Sequence, residues 1–184
     1  MKGIDKLAKV VTKVLEVTHW VAEALMLAAA ICITAAPQWL GYFVGLDTAG
    51  QEVELSTYGF EIVAPISDGR VDTKSFVLFA VGAIIIFSLV AMIFRNLHLI
   101  IKKSEGSTPF QKDNVRMMRE IGIFSIGIPV VGFVMSIIAR LVLGPEATEM
   151  SISMDGMIMG IIVLCLTQFF QHGVELEKDV DGLL

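Results

Sequence analysis

Charge is what this chain has least of. Lys, Arg, Asp and Glu make up 18% of its 184 residues, against roughly 25% in soluble domains. The deficit is uneven. Four long tracts are almost free of charge, and the charged residues crowd between them. An ionised group in hydrocarbon is costly, so this distribution is what a bilayer demands. Cysteine is scarce as well. Cys32 and Cys165 both lie inside apolar tracts, where a disulfide has nothing to favour it, and they read as small hydrophobes in helix packing. The chain also lacks a Gly-rich phosphate loop, zinc-finger spacing and any basic, aromatic-interleaved patch, and its formal net charge is -5. Direct nucleic-acid binding is therefore not expected. No nucleophile stands beside a recognisable base and orienter, so neither catalysis nor a cofactor is expected. There is no internal repeat and no low-complexity segment.

What is present is apolar sequence, 55% of the chain, gathered into four tracts. They run over about 18–40, 76–94, 121–142 and 154–171. The first is bracketed by Trp20 and Trp39, whose separation along a helix is about 28 Å, close to a hydrocarbon core. Indole rings favour both interfaces, so the pair reads as belt anchors. Pro37 falls near one end, where a break is cheap. Thr34 and Ala36 resemble a signal-peptidase site, but the preceding segment is long, carries Asp5, Glu16 and Glu23, and reads as an uncut helix. The third tract contains Gly122, Gly127, Pro129 and Gly132. Its glycines allow close helix approach, and Pro129 predicts a kink. The fold class is thus an all-α membrane protein: one integral domain, a four-transmembrane-helix bundle with a small extracytoplasmic β-containing cap.

Orientation follows from Lys and Arg. Lys2, Lys6, Lys9 and Lys13 precede the first span. Arg95, Lys102, Lys103, Lys112, Arg116 and Arg119 fill the loop 95–120. The loop 41–75 has only Arg70 and Lys74, and the last loop has neither residue type. Both chain ends and the loop 95–120 are therefore expected in the cytoplasm of a cell-membrane protein, with the tail 172–184 acidic. In the outer loop, Glu52-Val53-Glu54-Leu55-Ser56 alternates and Phe60-Glu61-Ile62-Val63 is strand-like. Glu149-Met150-Ser151-Ile152-Ser153 offers a third strand for the same cap.

The cytoplasmic loop carries the densest local signals. Thr108 suits an N-cap, Pro109 the first helical position, and Gln111 completes a capping box. Asn114, Val115, Met118, Ile121 and Gly122 then share one helical face, with Arg116 and Arg119 elsewhere, available to lipid phosphates or a partner. The runs Thr108-Pro109-Phe110, Asn114-Val115 and Arg119-Glu120-Ile121-Gly122 resemble the signature of a bacterial membrane family catalogued as domain of unknown function 2975. The ending Phe170-Gln171-His172-Gly173-Val174-Glu175-Leu176-Glu177, followed by Asp179 and Asp181-Gly182-Leu183-Leu184, resembles that family's ending. The resemblance covers the layout of the whole chain. It implies no catalytic residue. Members are often encoded beside a small helix-turn-helix regulator, which implies a cytoplasmic protein partner.

Among candidate chemistries, Glu23 stands out. It is placed about one turn inside the first span, where a carboxylate is either paired, protonated or functional. Glu16, His19 and Glu23 share a helical face, and His172 and Glu175 are also three apart. A metal site joining them is conceivable, but a wetted interface accounts for them more simply. Arg140 is expected to snorkel outward or pair with Glu146, Glu149 or Asp155. Met150, Met154, Met157 and Met159 read as ordinary apolar residues rather than a copper site. The candidate functional residues are Glu23, Arg116, Arg119, Asn114, Phe110 and Glu175. Two functions fit: a membrane-embedded regulatory protein with a cytoplasmic partner, or a small transporter or channel component using Glu23. The lipid bilayer is a partner in both, and a homo-oligomer would ease the objection that four spans are few for transport.

Overall fold

The computed structural model describes residues 2–36, 52–67, 70–105, 108–149 and 153–181. Its elements are α1 (Lys2–Ala35), a hairpin of β1 (Glu52–Thr57) and β2 (Phe60–Ser67), a short β3 (Arg70–Val71), α2 (Thr73–Lys103), α3 (Lys112–Leu143), a 3-10 turn (Pro145–Ala147) and α4 (Met154–Asp181). All four α-helices are long and apolar enough to cross a membrane. They overrun the apolar tracts. The 34 residues of α1 cover about 51 Å, well beyond a hydrocarbon core of about 30 Å. Pro37 and Trp39 lie outside the described residues.

Within the apolar runs, three hydroxyls are absorbed by the helix that bears them. Ser88 donates to the Ile84 carbonyl at 3.0 Å, Ser125 to Ile121 at 2.8 Å and Thr167 to Val163 at 2.8 Å. Hydroxyls satisfied locally are cheap to place in an apolar setting. Asp72 caps α2: its Oδ2 accepts from both the Ser75 amide and the Ser75 hydroxyl at 2.8 Å. α3 ends on Gly144, at φ 115, a conformation that glycine adopts without penalty. Pro129 sits inside α3, where it can offer no N–H to the Ser125 carbonyl.

The alternation in 52–56 and the run 60–63 do form strands. β1 and β2 pair antiparallel, Glu52 with Pro65 through Thr57 with Phe60. The two-residue turn between them, Tyr58-Gly59, has φ of 45 and 81. Positive φ at both positions matches the twist of a tight hairpin. The third strand differs from expectation. It is Arg70–Val71, paired with Ile66 and Ser67. Residues 150–152 of the expected strand lie outside the described residues, but their flank still reaches the sheet. Thr148, buried, donates its hydroxyl to the Glu61 carbonyl. Of the Glu149-to-Ser153 segment, Ser153 stands beside Gly59.

Contacts divide the described residues into two compact units. One draws on 1–19, 89–127 and 154–184. The other draws on 20–88 and 128–153. In the second, Phe60 is fully buried and its ring stacks on Phe79 at 5.8 Å. It occupies space that two glycines leave open. A Cβ on Gly82 would lie 2.4 Å from the Phe60 ring, and one on Gly132 3.5 Å from the Phe60 Cβ. The hairpin is thereby seated against α2 and α3. Ile33 of α1 joins Ala64, Val71, Phe76 and Ala80 in an adjoining cluster. In the first unit, α3 and α4 approach closely at Gly122 and Gly160, with Leu164 filling the space beside the first and Ile126 that beside the second. A Cβ on Gly160 would lie 2.7 Å from the Gly122 carbonyl oxygen. Small residues permit such backbone contact in membrane helices.

Gly160→Ala therefore forces main chains apart and is expected to lower stability by about 1–3 kcal/mol. Gly3→Ala, where a Cβ meets nothing within 4 Å, should be neutral or mildly stabilising. Thermal unfolding of both variants in one detergent checks the contrast.

Candidate functional site

The site is built on the first unit, where the loop between α2 and α3 meets the end of α4. The loop is held from both sides. Lys103, at the end of α2, binds Asp113 at 2.6 Å. Asn114 is fully buried. Its Nδ2 donates to the Pro109 carbonyl at 3.0 Å and to the Ser104 hydroxyl at 3.3 Å. The Pro109 carbonyl can only accept, which fixes the amide's orientation. Oδ1 is left buried without a hydrogen-bond partner among the described residues.

This arrangement corrects the expected helix start. α3 begins at Lys112, and Val115 is the first to donate back, to the Gln111 carbonyl at 3.1 Å. Thr108 makes a tighter local turn, its hydroxyl accepting from the Phe110 amide at 3.1 Å. The Pro109 carbonyl accepts from the Asn114 amide and, at 3.0 Å, from the Gln111 N–H, which makes a tight turn at this point rather than the first turn of a helix. Freed from a cap role, Thr108 also donates to Glu177 on α4 at 3.4 Å. Phe110 follows it across. Its ring lies 5.4 Å from that of Phe170 and presses on Gly173, where a Cβ would come within 2.5 Å. The end of α4 is thus clamped by the loop.

Beside the clamp, α3 and α4 enclose an open cleft of about 310 Å³. Its lining is regular. Lys112, Val115, Arg116 and Arg119 come from α3, and Gln171, Val174, Glu175 and Lys178 from α4. Both sets follow the i, i+3, i+4, i+7 spacing of one helical face. Val115 and Val174 are buried and form the floor. Four cations face one carboxylate. Arg116 touches Glu120 at 3.7 Å, but both are exposed, and such a pair contributes little. Glu175 pairs loosely with His172 at 3.5 Å. Lys112, Arg119 and Lys178 make no ion pair among the described residues. The cleft is suited to an anion.

Of the sequence-derived candidates, the structure gathers Arg116, Arg119 and Glu175 in this cleft, with Phe110 and Asn114 supporting it. The local signals missed Lys112, Gln171 and Lys178. Their spacing was visible, but which faces oppose depends on where α3 crosses α4. Glu23 belongs to the other unit. Its Oε2 is buried with no hydrogen-bond partner among the described residues. The other candidates are locally occupied. Glu16 pairs with Lys13 at 3.0 Å. His19 donates from Nδ1 to the Leu15 carbonyl at 2.7 Å and packs on Phe94. Among the described residues no three His, Cys, Asp or Glu side chains are gathered. Arg140 reaches the Thr148 carbonyl at 3.5 Å.

The start of α1 is tied to the same end of the molecule. Lys9 binds Glu105 at 2.8 Å, and His98 donates to the Lys9 carbonyl at 3.1 Å. The Lys9 hydrogen bond, with the charges of Lys9, Lys102 and His98, holds the Glu105 carboxyl below its ordinary range. The contribution of such a group is present above the ordinary carboxylate range and is lost as pH falls through its lowered value. The protection of the amides of residues 3–12 against hydrogen exchange, relative to the intrinsic rate at each pH, should accordingly fall on acidification. Raised salt should act in the same direction because the pair is exposed. Glu105→Gln should remove most of both responses. Separately, Asn114→Ala removes two hydrogen bonds from a fully buried position, to the Pro109 carbonyl and to the Ser104 hydroxyl, and should cost about 1–3 kcal/mol in thermal unfolding.

No protein family model, no curated protein and no solved structure matches this chain.

Proposed function

We propose that the protein is a multi-pass cell-membrane protein of regulatory type that holds a cytoplasmic protein partner at the α3–α4 end. One observation carries this reading. α4 continues past its apolar run as a helix, and Phe110 and Thr108 clamp it to the preceding loop. A charged extension that is already ordered loses little freedom on binding, which is what a docking element needs. The Lys and Arg bias supports placing this end, and both termini, in the cytoplasm. The exposed Glu175 and Asp179 of α4 suit a partner with a basic surface. A small helix-turn-helix regulator has one, and the resemblance carried by Thr108-Pro109-Phe110 and by the chain's ending implies such a partner.

A second reading has its own observation, the unpartnered Oε2 of Glu23. Glu23 is half-buried, and one enclosed oxygen without a partner among the described residues is a natural ion- or proton-binding atom for a transporter or channel component.

The regulatory reading is tested by crosslinked pull-down of the tagged chain from native membranes, with mass spectrometry of what is recovered. A small helix-turn-helix protein is expected, lost when the chain is cut after Gly173 and reduced at least severalfold by Phe110→Ala. Recovery of the chain alone, or only with itself, would sink this reading. Proton flux in proteoliposomes, compared between the natural chain and Glu23→Gln, tests the second. Equal flux in the two removes Glu23 from any transport role.

A further inference from the structure

We propose that the cleft between α3 and α4 binds the phosphate of an anionic phospholipid headgroup. The inference rests on the helices crossing a membrane and is independent of the protein-partner reading.

Depth is the first argument. Arg119 stands two residues before the third apolar tract and Gln171 directly follows the last aromatic of the fourth. From Arg119 to Lys112 is about 10 Å of helix. That is close to the thickness of one headgroup layer, roughly 5–8 Å from the edge of the hydrocarbon. Both walls of the cleft thus stand at the level where lipid phosphates lie.

Charge is the second. Lys112, Arg116, Arg119 and Lys178 converge with Glu175 as the single carboxylate, and three of the four cations have no ion pair among the described residues. Guanidinium groups present planar forks that match phosphate oxygens. The Gln171 amide adds a neutral donor.

Shape is the third. Val115 and Val174 give the cleft a buried apolar floor, which suits a glycerol stem better than a hydrated free ion. Four residues beyond Arg119 on the same face of α3, Ile123 is 53% exposed. An acyl chain leaving the cleft toward the hydrocarbon would lie along it. Basic pockets between membrane helices are a recurring solution for anionic headgroups.

The test uses the full chain in nanodiscs of equal parts phosphatidylglycerol and phosphatidylcholine, released into native mass spectrometry. The natural chain should retain one phosphatidylglycerol in preference to phosphatidylcholine. The double variant Arg116→Gln, Arg119→Gln removes exposed side chains and should fold normally. It should weaken that retention by about thirtyfold, from about 1 kcal/mol per cation near a lipid surface. Lys6→Gln with Lys102→Gln changes net charge equally outside the cleft and should leave retention unchanged. Equal losses in the two double variants, or no preference for phosphatidylglycerol, would overturn the proposal. So would binding of inorganic phosphate to the detergent-purified chain as tight as that of phosphatidylglycerol, since the cleft would then be a site for soluble anions.

Discussion

Backbone contact between helices, made possible by missing side chains, is the constraint on which the rest of this structure depends. In a bilayer, lipid tails are as apolar as leucine, so burying leucine between helices gains little. Close van der Waals contact must do the work instead. Gly122 and Gly160 bring α3 onto α4. Gly82 and Gly132 admit the Phe60 ring. Each contact also sets a position. Further along the same helix pair two regular charged faces lie beside each other and form the cleft. The Phe60 seat fixes the hairpin and with it the Thr148 hydrogen bond to Glu61.

Polar contacts play a different part. They are concentrated at helix ends and settle local geometry. Asn114 ties the turn before α3 to its first residues, and Asp72 caps the start of α2. Asn96, buried, donates to Glu120 at 3.0 Å and ties α2 to α3. α1 is the contrast. Among its described side chains only Glu16 and Ile33 are buried. Much of its surface is apolar and exposed, as Leu7, Val14, Val21 and Leu25 show.

The four long apolar helices were legible in the sequence because exclusion of charge leaves a mark that needs no tertiary knowledge. The hairpin was legible for a similar reason: strict alternation through Glu52-to-Ser56 has few other meanings. What could not be read were features decided by distant groups. Thr108, Pro109 and Gln111 form a sound capping sequence, yet tight turns at Thr108 and Pro109, the latter also bonded by the buried Asn114 amide, take their place. The short strand Arg70–Val71 has no pattern long enough to register, and it wins its place by adjacency to β2. The cleft lay half visible, as two helical faces with matching spacing. Only the Gly122–Gly160 crossing says that they oppose each other, and glycine at that crossing is as uninformative alone as any small residue in an apolar run.

The seat of Phe60 has a consequence for how the chain is made. Phe60 precedes both of its notches in sequence. Gly82 is made soon after it, but Gly132 is supplied only when most of α3 has been synthesised. A ring that belongs in a helix crevice must therefore wait, exposed, while two further helices are built. The Tyr58-Gly59 turn can close at once, since it needs only its own neighbours. Chain order thus separates an early local step that sets the hairpin's register from a late step that docks it.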